Sequence, residues 1–143
     1  MRFWDASAIL PLCLSDPRTT AMRKIAEEES AVVAWWGTPV ECYSALARLR
    51  RDGHLDTSAE DQARDTLNLL AAEWTEIAPS QDVRESAGRL LRLHPLRAAD
   101  ALQLAAALIW ASRNPRGHHF VCLDLRLREA ARREGFTLLP LEI

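Results

Sequence analysis

Short apolar runs of strand length alternate with longer segments of helical periodicity along the whole chain, and that alternation leaves few ways to fold. Arg2 to Trp4 reads as a first strand, with Ala6 to Leu14 turning helical behind it. Asp16-Pro17 opens a second helix through about Glu29, since proline is at home in a first turn. Ala31-Val32-Val33-Ala34-Trp35 is apolar on both alternating faces, as a strand covered from two sides must be. Gly37-Thr38-Pro39 then starts a helix that runs to Asp52 and stops at Gly53, with arginines in its last turn. Ser58 to Ala72 is amphipathic helix, Glu73 to Ile77 a strand, and Ser80 to Leu93 a helix that ends ahead of Pro95. Arg97 to Ser112 is apolar nearly all round, which predicts a helix enclosed on most sides. Asn114-Pro115-Arg116-Gly117 is a turn, His119 to Leu123 a buried strand, Leu125 to Glu134 a helix ended by Gly135, and Thr137 to Leu139 a last strand. The expected class is α/β: a mostly parallel central sheet of four to five strands, flanked by helices on both faces and joined by right-handed crossovers.

At 143 residues the chain is long enough for one domain with a hydrophobic core, so residues 1–143 are read as one unit. A composition 48% hydrophobic and 27% charged excludes disordered and collagenous classes. No run of about 18 apolar residues is present, and Asp5 falls where a signal peptide needs its apolar segment, so neither membrane spanning nor secretion is expected. Cys13, Cys42 and Cys122 are odd in number and far apart, which predicts reduced thiols and, by default, a cytoplasmic protein. The net charge of −2 alone would argue against a polyanion partner, but acids gathered for a metal would account for it. The basic residues are almost all arginine, Lys24 being the only lysine, and a guanidinium suits bidentate phosphate contact. Arg48, Arg50 and Arg51 form one cluster and Arg126, Arg128, Arg132 and Arg133 another; each also reads as an ordinary solvated helix face.

Asp5 ends the first strand, Asp124 ends the strand before the last helix, and Glu41 lies in the first turn after the second strand. All three therefore fall on the carboxyl edge of the sheet, where open α/β sheets build their sites. Asp100 opens the apolar helix, where an ionised group is costly unless it faces a cation or solvent. Carboxylates gathered without a lysine repel one another, and a hard divalent cation with oxygen ligands is the ordinary way to hold them together. A plainer account stands beside this one. Asp5 and Asp124 also fit helix N-caps, and Thr38-Pro39-Val40-Glu41 fits a capping box in which the glutamate reaches back to the cap residue. Capping does not account for Asp100, nor for the shared edge.

The segments Trp4-Asp5-Ala6-Ser7-Ala8, Glu41, Arg97-Ala98-Ala99-Asp100-Ala101-Leu102-Gln103-Leu104-Ala105 and Leu123-Asp124-Leu125-Arg126-Leu127-Arg128-Glu129-Ala130-Ala131 resemble the PIN domain, and more narrowly its VapC-type toxin ribonucleases. The resemblance runs over essentially the whole chain in order and spacing, and is most specific around Asp100. It implies a PIN-like domain with an acidic pocket that binds Mg²⁺, with Mn²⁺ able to substitute, and that cleaves RNA phosphodiester bonds by metal-activated water. It implies an endoribonuclease acting as the toxin of a toxin–antitoxin pair, held inactive by a cognate antitoxin protein and forming a homodimer. Asp5 and Asp100 match the principal metal ligands, Glu41 and Asp124 the acids that complete the pocket, and Ser7 the small hydroxyl residue counted with the catalytic set.

A cation so held would activate water and neutralise charge developing on the phosphoryl oxygens, leaving 5′-phosphate and 3′-hydroxyl ends. Ser7 could serve the hydrated ion or Asp5, and Arg97, three residues before Asp100, could steady that acid or meet a phosphate. His54, His94, His118 and His119 lack metal-ligand spacing. Trp35, Trp36 and Trp74 fit either core packing or an interaction surface. A HAD-type phosphatase would need an Asp where this chain has Ser7, and no GxxxxGK[ST] loop is present. Two alternatives stay open: a PIN nuclease in RNA processing or on DNA, and a non-catalytic RNA- or protein-binding PIN module.

Overall fold

The computed structural model describes residues 1–143. Five strands form one sheet: β1 (Arg2–Trp4), β2 (Val32–Trp35), β3 (Thr75–Ile77), β4 (His119–Val121) and β5 (Thr137–Leu139). Their order across the sheet is β3-β2-β1-β4-β5, and every neighbouring pair is parallel. The chain thus lays strands to one side of β1 and then crosses to the other. The reversal falls between β1 and β4, and the crevice beyond their carboxyl ends is where such sheets admit ligands.

Side chains alternate across the pleat and divide the core in two. Phe3, Val33 and Phe120 pack beneath α5 (Gln81–Leu93), α6 (Ala98–Trp110) and α7 (Leu125–Glu134). Trp4, Ala34 and Val121, their successors, pack on the other face against α1 (Ala6–Ile9), α2 (Thr19–Glu28), α3 (Thr38–Arg51) and α4 (Thr57–Glu73). Each such large apolar side chain contributes roughly 1.5–3 kcal/mol by leaving water. α6 is buried along Ala101 and from Gln103 to Leu108, which explains its nearly continuous apolar sequence. No helix is long and apolar enough to cross a membrane.

Five departures from the sequence reading have an identifiable local cause. Pro11 has no amide hydrogen, and the expected helix from Ala6 to Leu14 tightens into a 3₁₀ turn over Leu10–Cys13. Asp16-Pro17 does not open α2. The Asp16 carboxylate accepts the Arg18 amide at 2.7 Å, the Thr19 hydroxyl accepts the Asp16 amide at 3.0 Å, and the resulting turn delays the helix to Thr19. The Trp74 amide still bonds Leu70, so β3 begins at Thr75. β4 ends at Val121 because the Leu123 amide turns away to the Ser7 hydroxyl. The expected capping box at Thr38 does not form: Gly37 is the N-cap, while Thr38 is buried and its hydroxyl accepts from Gln103 at 2.9 Å.

Candidate functional site

Asp5 leaves the end of β1 as the N-cap of α1 and is only 3% exposed. Its Oδ2 accepts the Ser7 amide at 3.3 Å and its Oδ1 the Ser7 hydroxyl at 2.8 Å. Asp124 follows β4 as the N-cap of α7, with Oδ1 accepting the Leu127 amide at 2.9 Å. Both residues cap a helix and face the sheet edge at once, so the plain account and the functional one are not in competition. Glu41 lies in the first turn of α3, where Oε1 accepts the Gln103 side-chain amide at 3.1 Å. Asp100 lies in the first turn of α6 and is half-buried.

These acids come from the starts of four helices, and Asp5, Glu41 and Asp100 each feel the charge of at least one other acid of the set. Burial is the main force on Asp5, raising its carboxyl from 3.8 to about 7; the Ser7 hydrogen bonds oppose this and the Asp124 charge adds to it. Glu41 is also raised to about 7, first by burial, against the Gln103 hydrogen bond, with Asp5 and Asp100 adding repulsion. Asp100 is raised by burial and by Asp124, and Arg97 and Arg126 partly offset both. The couplings close a ring: Asp5 with Asp124, Asp124 with Asp100, Asp100 with Glu41, and Glu41 with Asp5. The four sequence-selected acids thus lie within charge reach of one another without forming a single tight ligand shell. No three His, Cys, Asp or Glu residues are gathered as a ready-made cage. An all-oxygen, mutually repelling donor set of this kind suits a hydrated hard cation, which keeps several waters and uses few direct carboxylates.

Ser7 is committed to the protein. Its hydroxyl donates to Asp5 and accepts the Leu123 amide at 2.8 Å, joining α1 to the end of β4. Cys122 and Cys42 are buried beside the acids, and burial pushes both thiols well above their ordinary range. Most clustered arginines have protein partners: Arg50 pairs with Glu60, Arg128 donates to the Cys122 and Pro140 carbonyls, and Arg132 and Arg133 hold Glu129. Arg97 and Arg126 are the two cations whose charge acts on Asp100. Trp35 and Trp74 belong to the core, whereas Trp36 is 56% exposed. The sequence reading missed Gln103, which carries no charge and sits inside an Ala/Leu-rich helix; a lone amide among apolar residues was the available signal.

No protein-family model and no curated protein matches the chain by sequence. Solved structures do. VapC20 of Mycobacterium tuberculosis, a sarcin-ricin loop cleaving toxin, superposes with a TM-score of 0.70 at 17% identity, over 96% of this chain and 97% of that one. FitAcB of Neisseria gonorrhoeae gives 0.68 at 15% identity, with both chains fully covered. A toxin–antitoxin complex from Klebsiella pneumoniae gives 0.61 at 15% identity over 87% of each chain. Near-complete coverage on both sides, with the five-stranded parallel sheet, establishes that this chain has the PIN-domain fold.

Proposed function

We propose that the chain is a Mg²⁺-dependent endoribonuclease acting as the toxin of a toxin–antitoxin pair, with Mn²⁺ able to substitute. The observation that supports this reading is that Asp5, Glu41, Asp100 and Asp124 sit at the starts of four separate helices within charge reach of one another, Asp5 and Asp124 following the two strands of the switch point. The donor chemistry fits the ion: hard oxygens only, with Asp5 and Glu41 raised to about 7 where no lysine answers them. Asp5 and Asp100 would hold it, with Glu41 and Asp124 completing the shell. When bound, a divalent ion supplies Lewis-acid activation of water and neutralisation of phosphoryl charge.

The chain's own residues supply the rest. Asp5 is held in one orientation by Ser7, which spends its proton on that carboxylate and thereby favours the ionised form. Gln103 does the same for Glu41. Arg97 and Arg126 lie close enough to lower the Asp100 carboxyl, and their guanidiniums are suited to meet the phosphates flanking the cleaved bond. The toxin role draws support from the shared fold with VapC20, described as a sarcin-ricin loop cleaving toxin, and with a toxin–antitoxin complex. It brings with it a cognate antitoxin and a homodimer as proposed partners.

The test is to express the chain with and without the product of the reading frame beside it, and to map 5′ ends of cellular RNA with Mg²⁺ or Mn²⁺ and with a chelator. New 5′-phosphate ends that vanish with chelator, and in Asp5→Asn and Asp100→Asn, are expected. RNA binding without cleavage in the wild type would instead mark a binding module. Cleavage without growth arrest would mark a processing nuclease.

A further inference from the structure

Gln103 lies on α6 three residues after Asp100 and is fully buried. Residues three apart share a helix face, so the amide and the Asp100 carboxylate arise from the same side of α6. Gln103 Nε2 donates to Thr38 Oγ1 at 2.9 Å and to Glu41 Oε1 at 3.1 Å, both on α3. The amide's carbonyl oxygen is buried and accepts nothing. A buried, unpaired acceptor costs about 1–3 kcal/mol, which leucine at this position would avoid. Turning the amide over would let its oxygen take the Thr38 hydroxyl proton but would set that oxygen against the Glu41 carboxylate, acceptor facing acceptor, and remove the only side-chain donor Glu41 has. The arrangement therefore serves the nitrogen end, and the nitrogen end serves Glu41.

We infer that Gln103 is a positioning residue of the acid cluster: its amide ties Glu41 on α3 to the helix that carries Asp100, and so fixes how those two carboxylates present themselves to a divalent cation. The inference rests on the metal-nuclease reading above. Thr38 holds the second N–H and keeps the amide plane aimed. Partners of this kind set ligand orientation, and their loss weakens metal binding by about 10-fold or more.

Mn²⁺ binding to the full chain, followed in the absence of RNA by the electron paramagnetic resonance signal of free Mn²⁺, tests it alongside thermal melts in chelator. Gln103→Leu and Gln103→Met are expected to weaken Mn²⁺ about 10-fold with melting temperatures unchanged or raised. In a Glu41→Gln background, Gln103→Leu is expected to add no further loss. Equal loss with Glu41 intact and replaced, or undiminished Mn²⁺ affinity in the folded variants, overturns the inference and leaves the nuclease reading standing. A wild type that binds no Mn²⁺ overturns both. Should the Gln103 variants not fold, the wild type still decides. Its Gln103 side-chain amide protons should shift on titration with Mg²⁺ and stay put in Glu41→Gln; a shift in neither protein counts against the inference.

Discussion

The Ser7 hydroxyl donates to Asp5 Oδ1 at 2.8 Å and takes the Leu123 amide hydrogen at the same distance, so one small side chain joins the acid that ends β1 to the end of β4. Ser7→Ala should act in two ways. The Leu123 amide loses its acceptor, at a cost of about 1–3 kcal/mol. Asp5 also loses a hydrogen bond that lowers its carboxyl, so its pKa should rise beyond about 7 and a cation should compete less well with the proton near neutrality. Urea unfolding and Mg²⁺ titration of wild type and variant measure the two effects separately. Unchanged cation affinity at neutral pH would remove Ser7 from the site and leave it a purely structural link.

Asp5 and Glu41 make the metal-free fold pH-sensitive in a definite direction. Both carboxyls are raised to about 7 in the folded chain, from 3.8 and 4.5, chiefly by burial. Folding then favours their protonated forms. Their contribution to stability is fully present below about pH 4 and is lost as pH climbs through about 7. A divalent cation should restore stability most at the upper end of that window, where it no longer competes with protons. Asp16 and Glu134, whose carboxyls are lowered, act in the opposite sense, so the readout is a difference between proteins. In chelator, the melting temperature of Asp5→Asn should lose part of the wild type's decline between about pH 4 and about pH 7. Parallel curves for the two proteins would show that Asp5 is not the burdened acid.

The sheet was readable because each strand carries its own signal. Val32 to Trp35 is apolar on both faces, and it lies between helices on both sides. Asp5 was readable for the same reason, since an acid directly after a strand has only one edge to occupy. What the sequence hid were relations between elements. Nothing local marks the Leu123 amide as leaving its ladder for Ser7, or Gln103 as reaching α3, because both bonds join residues more than 60 positions apart. The Thr38 capping box failed for a related reason: the threonine that fits the local pattern was taken into the core by a distant amide. The arginine clusters looked free in sequence and are largely spoken for in space, with Arg128 bridging two carbonyls beside the last strand.

Glu134, at the end of α7, is a fixed point on the far side of the fold. His94 Nε2 lies 2.7 Å from one carboxylate oxygen and Arg89 Nη2 2.7 Å from the other, so α5 and α7 are clamped together. Burial raises this carboxyl, but the hydrogen bonds and charges of Arg89 and His94 outweigh it and hold it below the usual range. A depressed carboxyl contributes stability above its unfolded pKa and loses it as pH falls through the folded value. Glu134→Gln should therefore lower stability by about 1–3 kcal/mol at neutral pH and show a smaller penalty in acid. Chemical unfolding at two pH values reads both, and a penalty independent of pH would mean the clamp works by shape and not by charge.

Gly37 is required by a neighbour and not by its own backbone, which has an ordinary φ of −79°. A Cβ added there would stand 2.5 Å from the Trp35 indole nitrogen, closer than real contacts allow. Trp35 is a core side chain at the end of β2, so the ring cannot yield without disturbing the packing under α5 and α6. Gly37→Ala should cost about 1–3 kcal/mol by overpacking and displace the first turn of α3 that carries Glu41. The exposed Trp36 next door gives the control, since Trp36→Ala should change stability by no more than about 0.5 kcal/mol. Thermal melts together with Mn²⁺ affinity for both variants make the comparison: the glycine change should weaken both, the tryptophan change neither. Equal melting temperatures for the two would mean that Trp35 has room to move and that the start of α3 is set by something other than this contact.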